Sequence, residues 1–259
     1  MSLMPRLGAI VFVGTVGAGK STQIRLLASN LETRGFKVRT TPLKTGHLLA
    51  YLLAAALARI AVNAKHANPI TGLVQEKPHL FKSLFKLWLI LDLLSIHARF
   101  LLTVYLPAKM RRVVIVEEYI PAVIADYVYL TGILGFPLKE SSFALNLMLR
   151  LLYLCGCTQT IFLDAHNSAL EKRWSNRNSL EEKSDYLQMQ RNLLLSISKR
   201  FSSSFLYIDT SNKTIRETHD LIVNHLVGLR NPEFHRHRWL NWRKSHQDKT
   251  WKAKEDECR

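Results

Sequence analysis

Between positions 14 and 22 the chain reads Gly14-Thr15-Val16-Gly17-Ala18-Gly19-Lys20-Ser21-Thr22. Glycines at this spacing let the backbone wrap a chain of phosphates, with amide N–H groups pointing inward and a helix N-terminus adding partial positive charge. Lys20 would reach the outer phosphates, and the Ser21 hydroxyl would ligate a Mg²⁺ that bridges two of them. ATP and Mg²⁺ are therefore the expected cofactors, with Gly14 to Thr22 as the binding loop. A Gly-rich turn followed by an ordinary lysine has the same letters, so the flanks matter. The buried-strand run Ala9 to Val13 stands before the loop and a helix-period segment after it, the context that a phosphate loop requires.

Two further sets of residues could join this chemistry. Val113-Val114-Ile115-Val116 ends in Glu117-Glu118, and a buried strand ending on an acid resembles a Walker B element. Glu117 would hold the Mg²⁺ shell or accept a proton from the attacking oxygen; a solvated pair of acids after a strand is the plainer alternative. Arg173 and Arg177 lie four apart at the edge of a polar stretch read as a lid over about 174–184. A guanidinium pairs with two phosphate oxygens at once, which suits a catalytic lid arginine. An exposed basic helix end accounts for either arginine equally well.

The elements that must position these groups follow from periodicity. Ile24, Leu27, Ala28 and Leu31 form a helical stripe stopped at Gly35, and Phe36 to Thr41 is a strand stopped by Pro42. From His47 to Val62 the chain is apolar enough for a buried core helix, and Asn63 to Lys82 reads as a loop or irregular insertion edging a pocket. Leu84 to Leu106 is long enough for a membrane span, but Asp92, His97 and Arg99 inside it favour a long central helix of a folded domain. Helices are expected at Pro121 to Leu130 and Ser141 to Leu154, interrupted by Gly132, Gly135 and Pro137. Strands are expected at Thr158 to Asp164 and Phe205 to Asp209, with helices from Ala165, Asp185 and Lys213. Five strands interleaved with helices imply a three-layer α/β fold around a parallel sheet.

Residues 1–229 are read as one kinase-like domain and 230–259 as a basic tail with Trp239, Trp242 and Trp251. The 36 Lys and Arg against 20 Asp and Glu, a formal charge of +16, suit phosphate handling, nucleic acid or an anionic membrane alike. The tail could serve either macromolecular partner, although a solvated extension is the simpler reading. Three cysteines, Cys155, Cys157 and Cys258, support neither a disulfide framework nor a zinc site. With no signal-like segment at Met1 to Arg6, a reducing cytoplasmic setting is expected, with peripheral membrane association as the alternative.

With these pieces in order, the chain resembles the thymidylate kinase family of P-loop nucleoside monophosphate kinases over Leu7 to Leu229. The resemblance rests on Phe12 to Ser21 followed by Thr22-Gln23, on Ile161-Phe162-Leu163-Asp164 with Ala169, Leu170 and Arg173, and on Tyr207-Ile208-Asp209-Thr210-Ser211. It implies a five-stranded parallel sheet with helices on both faces and transfer of the ATP γ-phosphate to a nucleoside monophosphate, dTMP foremost. It also makes a homodimer a compatible assembly.

Two family motifs are altered. Where the family has Arg-Glu-Pro this chain has Thr40-Thr41-Pro42, and where it has Asp-Arg and an aromatic residue this chain has Glu117-Glu118-Tyr119. An acid thus replaces the arginine that would meet an acceptor phosphate. Lys44 and Arg99 are the best-placed substitutes, with Tyr119 and Tyr127 as further substrate-binding candidates. Two alternatives remain open beside the monophosphate kinase: a kinase of another small or lipid-like acceptor, and an ATP-binding regulatory protein that has lost the chemistry.

Overall fold

A computed structural model of the chain describes residues 9–63, 68–136, 142–154, 158–175 and 184–228. The five expected strands form: β1 (Ile10–Gly14), β2 (Val38–Pro42), β3 (Val113–Glu117), β4 (Gln159–Asp164) and β5 (Ser204–Asp209). All pair in parallel, in the order β2-β3-β1-β4-β5. The fold is the expected α/β sheet with helices on both faces.

The central strands β1, β3 and β4 are apolar along almost their whole length and must be covered on both sides, because successive side chains point to opposite faces. Ile10, Phe12, Val113, Ile115, Ile161 and Leu163 pack with Ile24, Leu27 and Leu31 of α1 (Lys20–Thr33) and Ile222 of α10 (Ile215–Gly228). The intervening residues, Val11, Val13, Val114, Val116 and Phe162, face a larger cluster built from α4 (Pro78–Phe100), α6 (Ile120–Ile133), α7 (Phe143–Leu154) and α9 (Ser184–Phe201). Each fully buried aliphatic or phenyl side chain in these layers is worth about 1.5–3 kcal/mol relative to exposure.

Several boundaries differ from the sequence reading, each for a physical reason. Prolines taken as breakers between 63 and 82 begin helices instead. Pro69 opens α3 (Pro69–Glu76), with the Asn68 side chain accepting from the Ile70 N–H, and Pro78 opens α4. A proline in the first turn forfeits no helical hydrogen bond. Pro42 does not stop β2 but belongs to it, level with Glu117; β2 is an edge strand, where a missing N–H is tolerated. Gly132 lies inside α6, and Gly135, at φ +74°, follows its end. Pro137 and residues 176–183, including Arg177 and most of the lid stretch, lie outside the described residues, as does the tail 230–259.

The segment expected to be a core helix, α2 (Leu48–Ala61), is helical but not buried. Ala50 and Ala54 are buried and Leu53, Leu57 and Ala58 partly so, while Leu48, Leu49, Tyr51, Leu52 and Ile60 are exposed. It packs by its small-residue edge against α3 and α4, so its composition overstated its burial.

The long apolar helix runs from Pro78 through a π-helical turn at Leu101–Tyr105 into α5 (Leu106–Lys109). By length and composition it could cross a membrane. Two of its ionisable groups nevertheless turn into the domain: Asp92 is fully buried, and Arg99 Nε donates to Pro42 O at 2.9 Å.

Candidate functional site

The loop Gly14 to Gly19 carries the strand-to-helix turn after β1, and its conformation needs glycine at particular points. Gly14 has φ +135°, and a Cβ there would sit 1.8 Å from Leu163 O on β4. Gly17 has φ +88°, and a Cβ would meet the indole of Trp174 at 2.8 Å. Trp174, on α8 (Asn167–Ser175), donates its Nε1–H to Val16 O at 3.2 Å.

Beneath the loop lies an anchor that sequence reasoning missed. Asp164, at the end of β4 and 5% exposed, accepts from Thr15 Oγ1 at 3.1 Å, from its neighbour Ala165 N at 2.9 Å and from Tyr207 OH at 3.2 Å. Arg191 of α9 pairs with it, Nε to Oδ2 at 2.9 Å. One carboxylate thus ties the loop to β4, β5 and α9. The sequence signal was a strand ending on an acid, but the partner 27 residues away could not be read from spacing. The same carboxylate holds the Tyr207 phenol, which burial first and Asp164 second push above the ordinary tyrosine range.

Arg173, expected to close over phosphates, extends from α8 to the loop and the β5–α10 turn. Its Nη1 donates to Gly17 O at 3.2 Å and Thr210 Oγ1 at 3.0 Å, and its Nη2 to Thr210 O at 2.6 Å. The Thr210 hydroxyl in turn donates toward Ala18 O and Asp164 O, at 3.3 and 2.9 Å. In this arrangement Arg173 fixes the outer wall of the loop.

At the centre, Lys20 is buried and its Nζ donates to Gly14 O at 2.8 Å and Thr15 O at 2.9 Å. Burial lowers its pKa, and the nearby carboxylates of Glu118 and Glu117 oppose that fall. Ser21 Oγ donates to Glu117 Oε1 at 2.6 Å, so the two residues expected to ligate Mg²⁺, 96 positions apart, meet. A hydroxyl and a carboxylate side by side are the hard oxygen donors that Mg²⁺ takes in triphosphate sites. Thr22 continues the first turn of α1.

The opposite side of the site is organised by Glu118. It and Tyr119 occupy left-handed backbone, φ +68° and +70°, while the Glu118 N–H donates to Phe12 O at 2.8 Å. Two such non-glycine residues in succession carry strain of order 1–3 kcal/mol each. The turn presents the Glu118 carboxylate between two lysines, Oε2 3.1 Å from Lys44 Nζ and Oε1 3.8 Å from Lys20 Nζ. Partial burial pulls the Lys44 ammonium down, but Glu118 and then Glu117 and Asp126 outweigh it, leaving it above its usual range.

Around this group, Thr45 Oγ1 donates to Asp126 at 2.8 Å, and Gly46 N donates to Asp92 at 2.8 Å. Burial raises Asp92 to about 6, against the hydrogen bonds it accepts from Tyr127 and the backbone of Gly46 and His47. His47 is lowered by burial, then by the charges of Arg99 and Lys44.

Of the acceptor-binding candidates, Arg99 reaches Pro42 O at the carboxyl end of β2, and Lys44, two residues beyond it, pairs with Glu118. Tyr119 and Tyr127 are not open to it. They are 2% and 1% exposed; the Tyr119 ring packs beside Phe100 at 6.4 Å, and the Tyr127 hydroxyl donates to Asp92 at 2.8 Å. Burial, reinforced by Asp92, holds the Tyr127 phenol far above its usual pKa. Asp92 appeared in the sequence as a lone acid in an apolar run. Its use as the receiver of Tyr127 and Gly46 emerged only with the fold.

No protein-family model matches the chain, and no curated protein matches it. Among solved structures it is similar to thymidylate kinase from Ehrlichia chaffeensis, with 19% identity, a TM-score of 0.50, and coverage of 86% of this chain and 99% of that one. At this identity the likeness speaks for the fold.

Proposed function

We propose that the chain is an ATP- and Mg²⁺-dependent phosphotransferase acting on a small acceptor of nucleoside type. The observation that carries this reading is the meeting of Ser21 Oγ and Glu117 Oε1 at 2.6 Å beside the buried Lys20, beyond the carboxyl ends of β1 and β3. Ligands of open parallel sheets bind at that edge. Ser21 and Glu117 would hold Mg²⁺, which supplies charge neutralisation to the phosphates. The Gly14 to Thr22 backbone binds and orients the triphosphate, and Lys20 lends its charge to the outer phosphate. Asp164, Trp174 and Arg173 keep the loop in shape. Arg177 is proposed to close from the lid.

The domain is taken as residues 1–229 with 230–259 as an appended basic tail, and the resemblance makes dTMP the first acceptor to assay. Titration with ATP–Mg²⁺ tests the core of the reading. Binding that Lys20→Ala abolishes is expected; a wild-type chain that binds no ATP–Mg²⁺ overturns it.

We also propose that the chain forms a homodimer through the outer face of α4. Leu87, Ile90, Leu94 and Leu101, 47–57% exposed, recur at helical spacing on one side of this helix and its π-helical continuation, a stripe that a second copy of the same helix can cover. Sedimentation should show a dimer that Ile90→Glu dissociates. A monomer that partitions onto anionic vesicles would instead assign the face to peripheral membrane contact.

A further inference from the structure

The acceptor end carries a charge arrangement that the donor end does not explain, and its consequence rests on the phosphotransferase reading. We propose that Glu118 closes the acceptor subsite to phosphate dianions, so that the group phosphorylated is the hydroxyl of a compound carrying no phosphate at its reacting end.

The carboxylate at this end is already paired. Glu118 takes Lys44 at 3.1 Å and stands 3.8 Å from Lys20. Arg99 gives its Nε–H to Pro42 O, which turns the guanidinium toward the edge of β2 without neutralising it. Glu117 and Asp126 add two more carboxylates near Lys44, and Asp92 lies buried behind them. Among the described residues, the basic groups at this edge are Lys20, Lys44, Arg99 and His47, and burial with two neighbouring cations keeps His47 toward its neutral form.

A phosphomonoester approaching the γ-phosphate must draw Lys44 away from Glu118. That leaves the Glu118 carboxylate facing the incoming dianion beside the γ-phosphate, while Lys20, 3.8 Å away, and the Mg²⁺ expected at Ser21 and Glu117 are already drawn to the donor phosphates. Like charges at about 4 Å repel strongly even with substantial screening, enough to weaken binding by about 10-fold or more. A hydroxyl meets no such conflict, because it donates its hydrogen to the carboxylate and leaves the Lys44 pair in place. Lys44 being held above its ordinary pKa by Glu118 describes the same pairing from the cation's side.

The step balances. The acceptor oxygen forms a new bond to the γ-phosphorus, and the bond from that phosphorus to the β,γ-bridging oxygen breaks, its electron pair leaving with ADP. The hydroxyl proton passes to the Glu118 carboxylate and then to water. Alcohol and ATP become phosphomonoester, ADP and one proton.

The test fills the donor end of the full chain with a non-hydrolysable ATP analogue and Mg²⁺, then measures affinity for inorganic phosphate and for dTMP. Wild type is compared with Glu118→Gln and Glu118→Arg. The expected result is a gain of about 10-fold in phosphate affinity for the glutamine variant and a larger gain for the arginine variant, with thymidine rather than dTMP turned over by wild type and ATP. Phosphate affinity unmoved by both substitutions, or wild-type turnover of dTMP, overturns the inference. Glu118→Gln is near-isosteric and keeps the comparison available if the arginine variant unfolds, which a melting curve reports. Failure to bind the ATP analogue at all would remove the phosphotransferase reading itself, a separate result.

Discussion

The two ends of the site are built differently. At the donor end the loop is held by many contacts at once: Asp164 receives Thr15, Ala165, Tyr207 and Arg191, while Arg173, Trp174 and Thr210 grip the outer wall. At the acceptor end a single carboxylate on a strained turn sets the balance among a few charges. The donor end is therefore expected to respond to mutation through stability and rate, and the acceptor end through selectivity and pH.

The largest effect should come from Gly14→Ala, whose Cβ has no room beside Leu163 O; a loss above about 4 kcal/mol is expected from denaturant unfolding. A variant within about 1 kcal/mol of wild type would show that the loop is looser than its contacts imply. Next, Asp164→Ala strands Arg191 in a mostly buried place and should cost about 3 kcal/mol or more. If the loss is small, Asp164 is not the anchor that its contacts imply.

Lys20→Ala and Glu117→Ala should each lower turnover by about 10² or more, roughly 2.7 kcal/mol in the barrier, in steady-state assays of an accepted substrate. A near-normal rate in either removes that residue from the mechanism.

At the acceptor end, Asp92 gives a pH signature. Its folded pKa of about 6 exceeds the unfolded value, so its contribution to stability is full below about pH 4 and is lost as pH rises through about 6. Unfolding of wild type against Asp92→Asn from about pH 4 to 7 should show wild type losing about 2 kcal/mol relative to the variant. A flat difference would mean that Tyr127 and the backbone amides stabilise the carboxylate fully. Smallest of all, Leu94→Gln on the outer face of α4 should change the stability of the isolated chain by no more than about 0.5 kcal/mol.

How much of this was legible beforehand follows the same division. The donor loop is local in sequence, and Glu117 announced itself because a four-residue apolar run before an acid is a strand that must end near the loop. The central strands β1, β3 and β4 were readable as short, buried apolar runs, and the edge strands β2 and β5 from their spacing between helical segments and turn residues.

Burial of α2 was misjudged because apolar composition does not say which side a neighbour covers. The helices at Pro69 and Pro78 were hidden because proline marks both a break and a first turn. Asp164, Arg191 and Asp92 act through partners far apart in sequence, and no spacing rule brings such residues together.

The turn at Glu118 and Tyr119 has one further consequence. Its left-handed geometry belongs to the backbone and is held by the ladder bond to Phe12 and by the buried Tyr119 ring, so whatever side chain stands at position 118 inherits the same vantage point between the two lysines. A single exchange there rewrites the sign of the acceptor site while the scaffold stays as it is. On the proposed reading, substrate choice is a setting that can change apart from the fold that displays it.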